Sequence, residues 1–257
     1  MKDIQIAVAV HKDYWMPADA LYRAVQAGSA GKPPLREDWQ RDDGGDNISD
    51  KNSYYCELTV LYWAWKNLKA GYLGLAHYRR YFASRLFGEK RERIAGRAAL
   101  ERKLAKADAI LPKKRHYWIE TNYSQYVHAH KEIGLVQTKE ILGEMYPDYL
   151  PAWERVMKRR SGHRFNMFVF RRDLLEAYCQ WLFTLLFELE NRLQAAGQFA
   201  DNARVIGFVS ERLLDIWLEK NKVRYVEMSV VHLENQHWPK KLCNFLCRKL
   251  RAERCAS

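Results

Sequence analysis

The stretch DDGGDNISDKNSYYCELTVLYWAWKNLKAGYLGLAHYRRYF, Asp42 to Phe82, decides how this chain is read. It opens polar: Asp42, Asp43, Asp46, Asn47 and Ser49 surround Gly44 and Gly45. Glycines admit close backbone approach and short polar side chains offer hydrogen bonds, so such a loop can wrap a polyhydroxylated or charged ligand. A helix is expected to start between Ser49 and Ser53, because Tyr54, Leu58, Leu61, Trp65 and Leu68 recur at steps of 4, 3, 4 and 3. Gly71 is placed to end it. Tyr72 to Ala76 then reads as a short strand delivering His77, Tyr78, Arg79 and Arg80 at its C-terminal end. That is the end at which open α/β sheets bind ligands.

Upstream, Ile4, Ile6, Val8 and Val10 alternate with Gln5, Ala7 and Ala9, as in a strand near the centre of a parallel sheet, with His11 and Lys12 at its exit. Residues 27–41 read as an irregular loop rich in Gly, Pro and charge. Downstream, Arg85, Lys90, Arg91, Arg93 and Arg97 read first as a solvated face. Ala98 to Ala107 is helix-like, and Asp108 to Leu111 is a short strand stopped by Pro112. Residues 123–160 read as helical, broken near Pro147 and Pro151. Phe165 to Phe170 is a strand candidate, followed by a long apolar-faced helix from Asp173 to Gly197. Ala200 to Glu219 places Arg204, Ser210, Glu211 and Arg212 at the start of another helix, and Val223 to Val231 is a last strand. The pattern is α/β, a single domain over 1–238 with a mainly parallel central sheet flanked by helices. The tail 239–257 differs: Lys240, Lys241, Arg248, Lys249, Arg251 and Arg254 against Glu253 give it +5 of the chain's +12. Leu242, Phe245, Leu246 and Leu250 add an apolar stripe at helical spacing. A basic amphipathic segment suits an anionic membrane surface, or packs on its own domain.

Composition narrows the function. With 257 residues and 48% hydrophobic content the chain can bury a sizeable core, and most of its nine Trp and fifteen Tyr are expected there. The charge favours anionic partners. Five cysteines form no metal-spaced set, and their odd number without a signal peptide points to reduced thiols in the cytoplasm. His128 and His130, two apart, lack a third zinc ligand at standard spacing. No apolar run reaches the ~18 residues that span a bilayer. No glycine-rich phosphate loop of the kinase or dinucleotide type is present.

GDNISDKNSYYCELTVLYWAWKN followed by YLGLAHYRRYF resembles the signature of a bacterial family long known only as a domain of unknown function. Its members are similar to capsule, exopolysaccharide and O-antigen glycosyltransferases, galactofuranosyltransferases among them. AVAVHKDYWMP, DAILPKKR, FNMFVFRRDLLEAYCQWLFTLLFELE and RVIGFVSERLLDIWLEKN match in order, so the resemblance covers nearly the whole chain. It implies a GT-A-like fold and transfer of a hexose, galactopyranose or galactofuranose, from a UDP-sugar to a lipid-linked surface polysaccharide. The enzyme would then sit at the inner face of the cytoplasmic membrane, held there through the tail. The alternatives are a nucleic-acid-binding module and a non-catalytic scaffold of a polysaccharide assembly complex. Against the first, the basic residues form no recognised binding motif and the acidic loop would repel phosphate backbones, so no nucleic acid is expected.

A sugar transferase must offset the charge developing on a leaving diphosphate. Many GT-A enzymes use an Asp-x-Asp motif holding Mg²⁺ or Mn²⁺. Here HYRR stands at that place, so His77, Arg79 and Arg80 neutralise the diphosphate themselves or a metal sits on scattered residues; both readings stay open. The candidate donor-binding set is His11, Asp43, Asp46, Asn47, Ser49, Asn52, Glu57, His77, Tyr78, Arg79, Arg80, Asn166, Arg204 and Ser210. Glu211 is the expected general base, stabilised by backbone donors at a helix start. Glu57 is the weaker candidate.

Overall fold

The computed structural model describes residues 2–234; the tail and its proposed role lie outside them. In chain order the strands and helices begin with β1 (Ile4–Val10), β2 (Tyr22–Gln26), β3 (Gln40–Arg41), α1 (Asn52–Tyr55) and α2 (Leu58–Asn67). Next come β4 (Tyr72–His77), β5 (Arg80–Phe82), α3 (Arg97–Leu104), β6 (Ala109–Pro112), β7 (Arg115–His116), α4 (Asn122–Val127) and α5 (Ile133–Met145). The remainder is α6 (Leu150–Lys158), β8 (Ser161–Gly162), β9 (Phe168–Arg171), α7 (Arg172–Ala195), α8 (Val205–Lys220), β10 (Tyr225–Met228) and β11 (Val230–His232).

The central sheet runs β10-β6-β9-β4-β1-β2-β3, with β5 and β11 paired beside β4. Strands β1, β2, β3 and β4 are mutually parallel, as are β6 and β10, while β9 runs antiparallel between β4 and β6. This is a GT-A-like α/β domain. The period-two alternation of the strands separates two cores. Ala7, Ala9, Leu73, Leu75, Phe168 and Phe170 face the large layer of α2 and α5 to α8. Ile4, Ile6, Val8, Val10, Ile110 and Val169 face the smaller layer that includes Leu100 and Leu104 of α3. Among the described residues no helix is long and apolar enough to cross a membrane.

Several local expectations are corrected. The helix foreseen from Ser49–Ser53 onward is interrupted at Cys56, whose φ of 54° and ψ of −130° end α1 before α2 begins. Leu58, Leu61 and Trp65 are buried as the spacing required, but Leu68 is already extended, so α2 stops before Gly71. Residues 27–41 are not wholly irregular, because β3 adds a parallel edge strand there. The strand foreseen at Phe165 begins only at Phe168, since Phe165 and Asn166 are left-handed at φ 78° and 49°. Glu211 lies in the second turn of α8, not at its start, so the free amides of a helix N-terminus do not hold it.

Candidate functional site

Strands β1 and β4 pair in parallel with Ala9 beside His77, so both chains leave the sheet at the same edge. A cavity of about 380 Å³ opens there, lined by His11, Asn52, Ser53, Cys56, Glu57, His77, Arg79 and Arg204 among others. His11 Nε2 lies 3.2 Å from the Tyr78 hydroxyl, and the His77 and Tyr78 rings stack at 4.6 Å. Gly28, next to the lining residue Ala27, has φ 61°, and a Cβ there would fall 2.5 Å from Asn52 Cβ. Only glycine lets β2 turn away so close to the Asn52 side chain. Asn52 Nδ2 donates to the Cys56 carbonyl at 2.8 Å and to Thr59 Oγ1 at 3.1 Å, bracing the break between α1 and α2.

That break aims Glu57 into the cavity. Its Oε1 accepts from Asn166 Nδ2 at 2.9 Å, and Asn166 Oδ1 accepts from the Ser210 hydroxyl at 3.1 Å. Glu211 Oε1 accepts the Phe165 amide at 3.0 Å, and Oε2 pairs with Arg212 at 3.2 Å. One left-handed turn, Phe165–Asn166, therefore holds both carboxylates. Of the five non-glycine residues with positive φ among the described residues, Cys56, Phe165, Asn166 and Arg204 surround this one region, and Lys222 follows the end of α8. Such backbone costs of order 1–3 kcal/mol each and persists where its surroundings enforce it, which is typical of functional sites.

The electrostatics combine guanidiniums, lowered imidazoles and a carboxylate in the lining. Burial, then Arg80 and Arg79, holds His77 down to about 3, so its imidazole is neutral at pH 7. His11 is lowered by burial and then by Arg79. Glu57 is raised, first by burial and also by the Glu211 charge. Arg79 pairs with Glu234 at 2.9 Å, but its Nε is buried without a partner. Arg80 Nε is likewise unpartnered; its guanidinium stacks over the Phe165 ring at 4.5 Å and makes no ion pair among the described residues. Burial and then Arg79 lower its proton affinity. Arg204, itself left-handed, donates Nε to Cys56 Sγ at 3.2 Å.

The structure brings His11, Asn52, Glu57, His77, Arg79 and Arg204 to one cavity, with Tyr78, Arg80, Asn166, Ser210 and Glu211 packed on or behind it. It does not bring the acidic loop there. Asp43 is engaged by Arg41 at 2.6 Å, Asp46 by Tyr62 at 3.1 Å, and Asn47 by the loop's own carbonyls. Ser49 donates to Asp42. Asp42, fully buried, also accepts from the amides of Gly28 and Ser29 and the hydroxyls of Ser29 and Thr59 at 2.6–3.0 Å. It ties β2 to α2. Sequence reading missed Cys56, Phe165 and Glu234. Nothing in residue type marks a cysteine or a phenylalanine for left-handed backbone, and Glu234 reaches Arg79 only because β11 pairs with β5. Among the described residues no three His, Cys, Asp or Glu side chains converge as a metal site needs. Among the described residues the cavity lining offers imidazoles, guanidiniums and the single carboxylate Glu57, with Glu211 held by the Phe165 amide and Arg212, which is not the carboxylate-rich oxygen set that holds Mg²⁺ or Mn²⁺.

A GT-A-like sheet with a cationic cavity at the parallel strand ends defines the class. Residues 5–222 match the family described as Domain of unknown function (DUF4422), and the chain belongs to that family. Its fold is similar to the apo structure of the WbbM bifunctional glycosyltransferase, with a TM-score of 0.79 and 29% identity over 91% of this chain. The match spans 46% of that longer chain. No curated protein matches the sequence.

Proposed function

We propose that this domain is a glycosyltransferase that moves a hexose, galactose in pyranose or furanose form, from a UDP-sugar to a lipid-linked surface glycan. The observation that carries the reading is Arg80. A partly buried guanidinium with an unpartnered Nε and, among the described residues, no carboxylate partner is costly unless an anion from outside completes it. Arg80 follows Arg79, which lines the cavity at the end of β4 together with Arg204, and the likeness to a glycosyltransferase supplies the donor class. The nucleotide diphosphate would bind against Arg79 and Arg80. The neutral imidazoles of His11 and His77 would serve as hydrogen-bonding groups, and the charge on the leaving phosphate would be offset by the guanidiniums.

The proton acceptor belongs to the Glu57–Glu211 pair. Both Glu211 oxygens are occupied by donors, whereas Glu57 lines the cavity and carries a raised proton affinity. That combination favours Glu57 as the base for the acceptor hydroxyl, with Glu211 sustaining its charge environment. Asp43, Asp46, Asn47 and Ser49 shape the loop behind Asn52. Residues 239–257 would hold the enzyme at an anionic membrane surface, at the inner face of the cytoplasmic membrane. The test is transfer from a panel of UDP-, GDP- and dTDP-hexoses to lipid-linked acceptor, with free nucleotide as the readout. Turnover confined to UDP-hexoses supports the reading; no turnover together with tight binding of DNA or RNA would replace it with the nucleic-acid alternative.

A further inference from the structure

The loop between β5 and α3 is a hairpin closed by the Ala83–Ile94 bridge and by the Ser84 amide donating to the Arg93 carbonyl at 2.8 Å. At its far end Leu86 is 60% exposed and Phe87 85% exposed, next to Gly88 at φ 105°. A hairpin tip does not place two large apolar side chains in water without cost: each leaves apolar area that burial would stabilise. Beneath Leu86 lies a cavity of about 240 Å³ lined by Arg85, Arg102, Lys103 and Lys113, with Glu227 the acid in its lining. Arg102, Lys103 and Lys113 make no ion pair among the described residues, whereas Arg85 pairs with Glu92 at 3.1 Å. Glu227 is turned toward His163 Nε2 at 3.2 Å.

We infer that this face is a membrane-docking surface: Leu86 and Phe87 enter an anionic bilayer while Arg102, Lys103 and Lys113 receive a lipid phosphate. The apolar tip beside a cationic hollow is the arrangement that lipid interfaces select, with apolar burial and headgroup attraction adding. A protein partner would need a matching apolar socket, and the unneutralised cations argue for a phosphate-rich surface instead. The hairpin begins at β5, whose first residue is Arg80, so docking here would bring a lipid-linked acceptor close to the proposed transfer site. That purpose rests on the transfer reading; the docking itself does not, and it is measured without activity.

The experiment is flotation of the full chain with vesicles of phosphatidylcholine, alone or mixed with phosphatidylglycerol. Wild type is expected to float with the mixed vesicles only, and less so at high salt. The Leu86→Ser/Phe87→Ser variant should partition about tenfold more weakly or worse. The Arg102→Glu/Lys103→Glu variant should weaken the preference for phosphatidylglycerol several-fold, beyond whatever residues 239–257 supply; an unchanged preference overturns the assignment of the phosphate to these side chains. These side chains are exposed, so melting temperatures should stay at the wild-type value, which separates lost docking from lost folding. Unchanged partition of the Leu86→Ser/Phe87→Ser variant overturns the inference and assigns any binding to another basic surface. Absence of wild-type binding overturns it too, together with attachment through residues 239–257, leaving the tip to a protein partner; either result leaves the transfer of a hexose from a UDP-sugar standing.

Discussion

Arg80 combines burial, an unpartnered Nε and a neighbouring cation, so the free protein holds it at a cost. Replacing it with Ala should therefore leave the unfolding midpoint unchanged or higher while turnover falls by about 10²-fold or more, because the lost contact matters most as the diphosphate departs. A midpoint drop with intact turnover would make Arg80 a structural residue. The imidazoles give a second outcome. His77 lies at about 3 and His11 is also lowered, through burial and then neighbouring cations. A diphosphate beside them opposes the cations, so the bound state holds more protons than the free state. Affinity for a UDP-hexose, whose diphosphate does not itself titrate in this range, should then rise as pH falls from about 7 toward 5 through His11, with His77 adding only at lower pH, and proton uptake should be visible by calorimetry in buffers of different ionisation enthalpy. Proton release on binding would contradict this arrangement. For the carboxylates, Glu57→Gln should lower the rate at least ~10²-fold with UDP binding intact, and Glu211→Gln less; the reverse order restores Glu211 as the base. The HYRR cluster was legible in sequence because a strand end fixes where consecutive residues go. The ranking of the two glutamates was not, since it depends on where helix α8 begins and on which oxygens the Phe165–Asn166 turn occupies.

At the scale of elements, the strands of the parallel core were legible because buried strands are short apolar runs with their own punctuation, as at Ile4–Val10 and Tyr72–His77. The loop before α1 reads two ways for a physical reason: short polar residues and glycines serve a ligand and a buried hydrogen-bond hub equally well. Here Asp42 is the hub. Removing its carboxylate strands the Gly28 and Ser29 amides and the Ser29, Ser49 and Thr59 hydroxyls around a buried void. Asp42→Ala should cost about 3 kcal/mol or more, read from the denaturant midpoint, whereas Asp46→Ala on the exposed side of the loop should cost little. Equal, small losses would return the loop to a ligand-binding role. Strand β11 makes the opposite kind of contact, carrying Glu234 onto Arg79 and, at 3.6 Å, onto Lys12. Glu234 is partly exposed, and such pairs are worth about 0.2–1 kcal/mol. A carboxylate that competes with the donor phosphate for Arg79 should therefore weaken UDP binding no more than about fivefold, and Glu234→Gln should recover that factor in a titration. Weaker binding by the variant would mean that Glu234 contacts the donor itself.

The whole molecule joins a two-layer core, in which the parallel strands and helices are packed without reference to any ligand, to one edge where the packing rules are broken. Left-handed cysteine, phenylalanine, asparagine and arginine, unpartnered guanidinium nitrogens and neutral histidines all gather there. A fold that concentrates its unfavourable features at one edge should be stabilised as a unit by the ligand that relieves them. A ligand bound only by the folded state, at about a hundred times its Kd, adds about 2.7 kcal/mol. In a domain of this size each kcal/mol moves Tm by about 2–4 °C, so UDP or a UDP-hexose should raise it by about 5–10 °C. The Arg79→Ala/Arg80→Ala variant should start from an equal or higher Tm and show little of that rise, because the same pair of side chains is the source of the cost and of the binding. A variant that starts lower and responds fully to UDP would separate the strained edge from the nucleotide site, and the cavity at the ends of β1 and β4 would lose its claim to the donor.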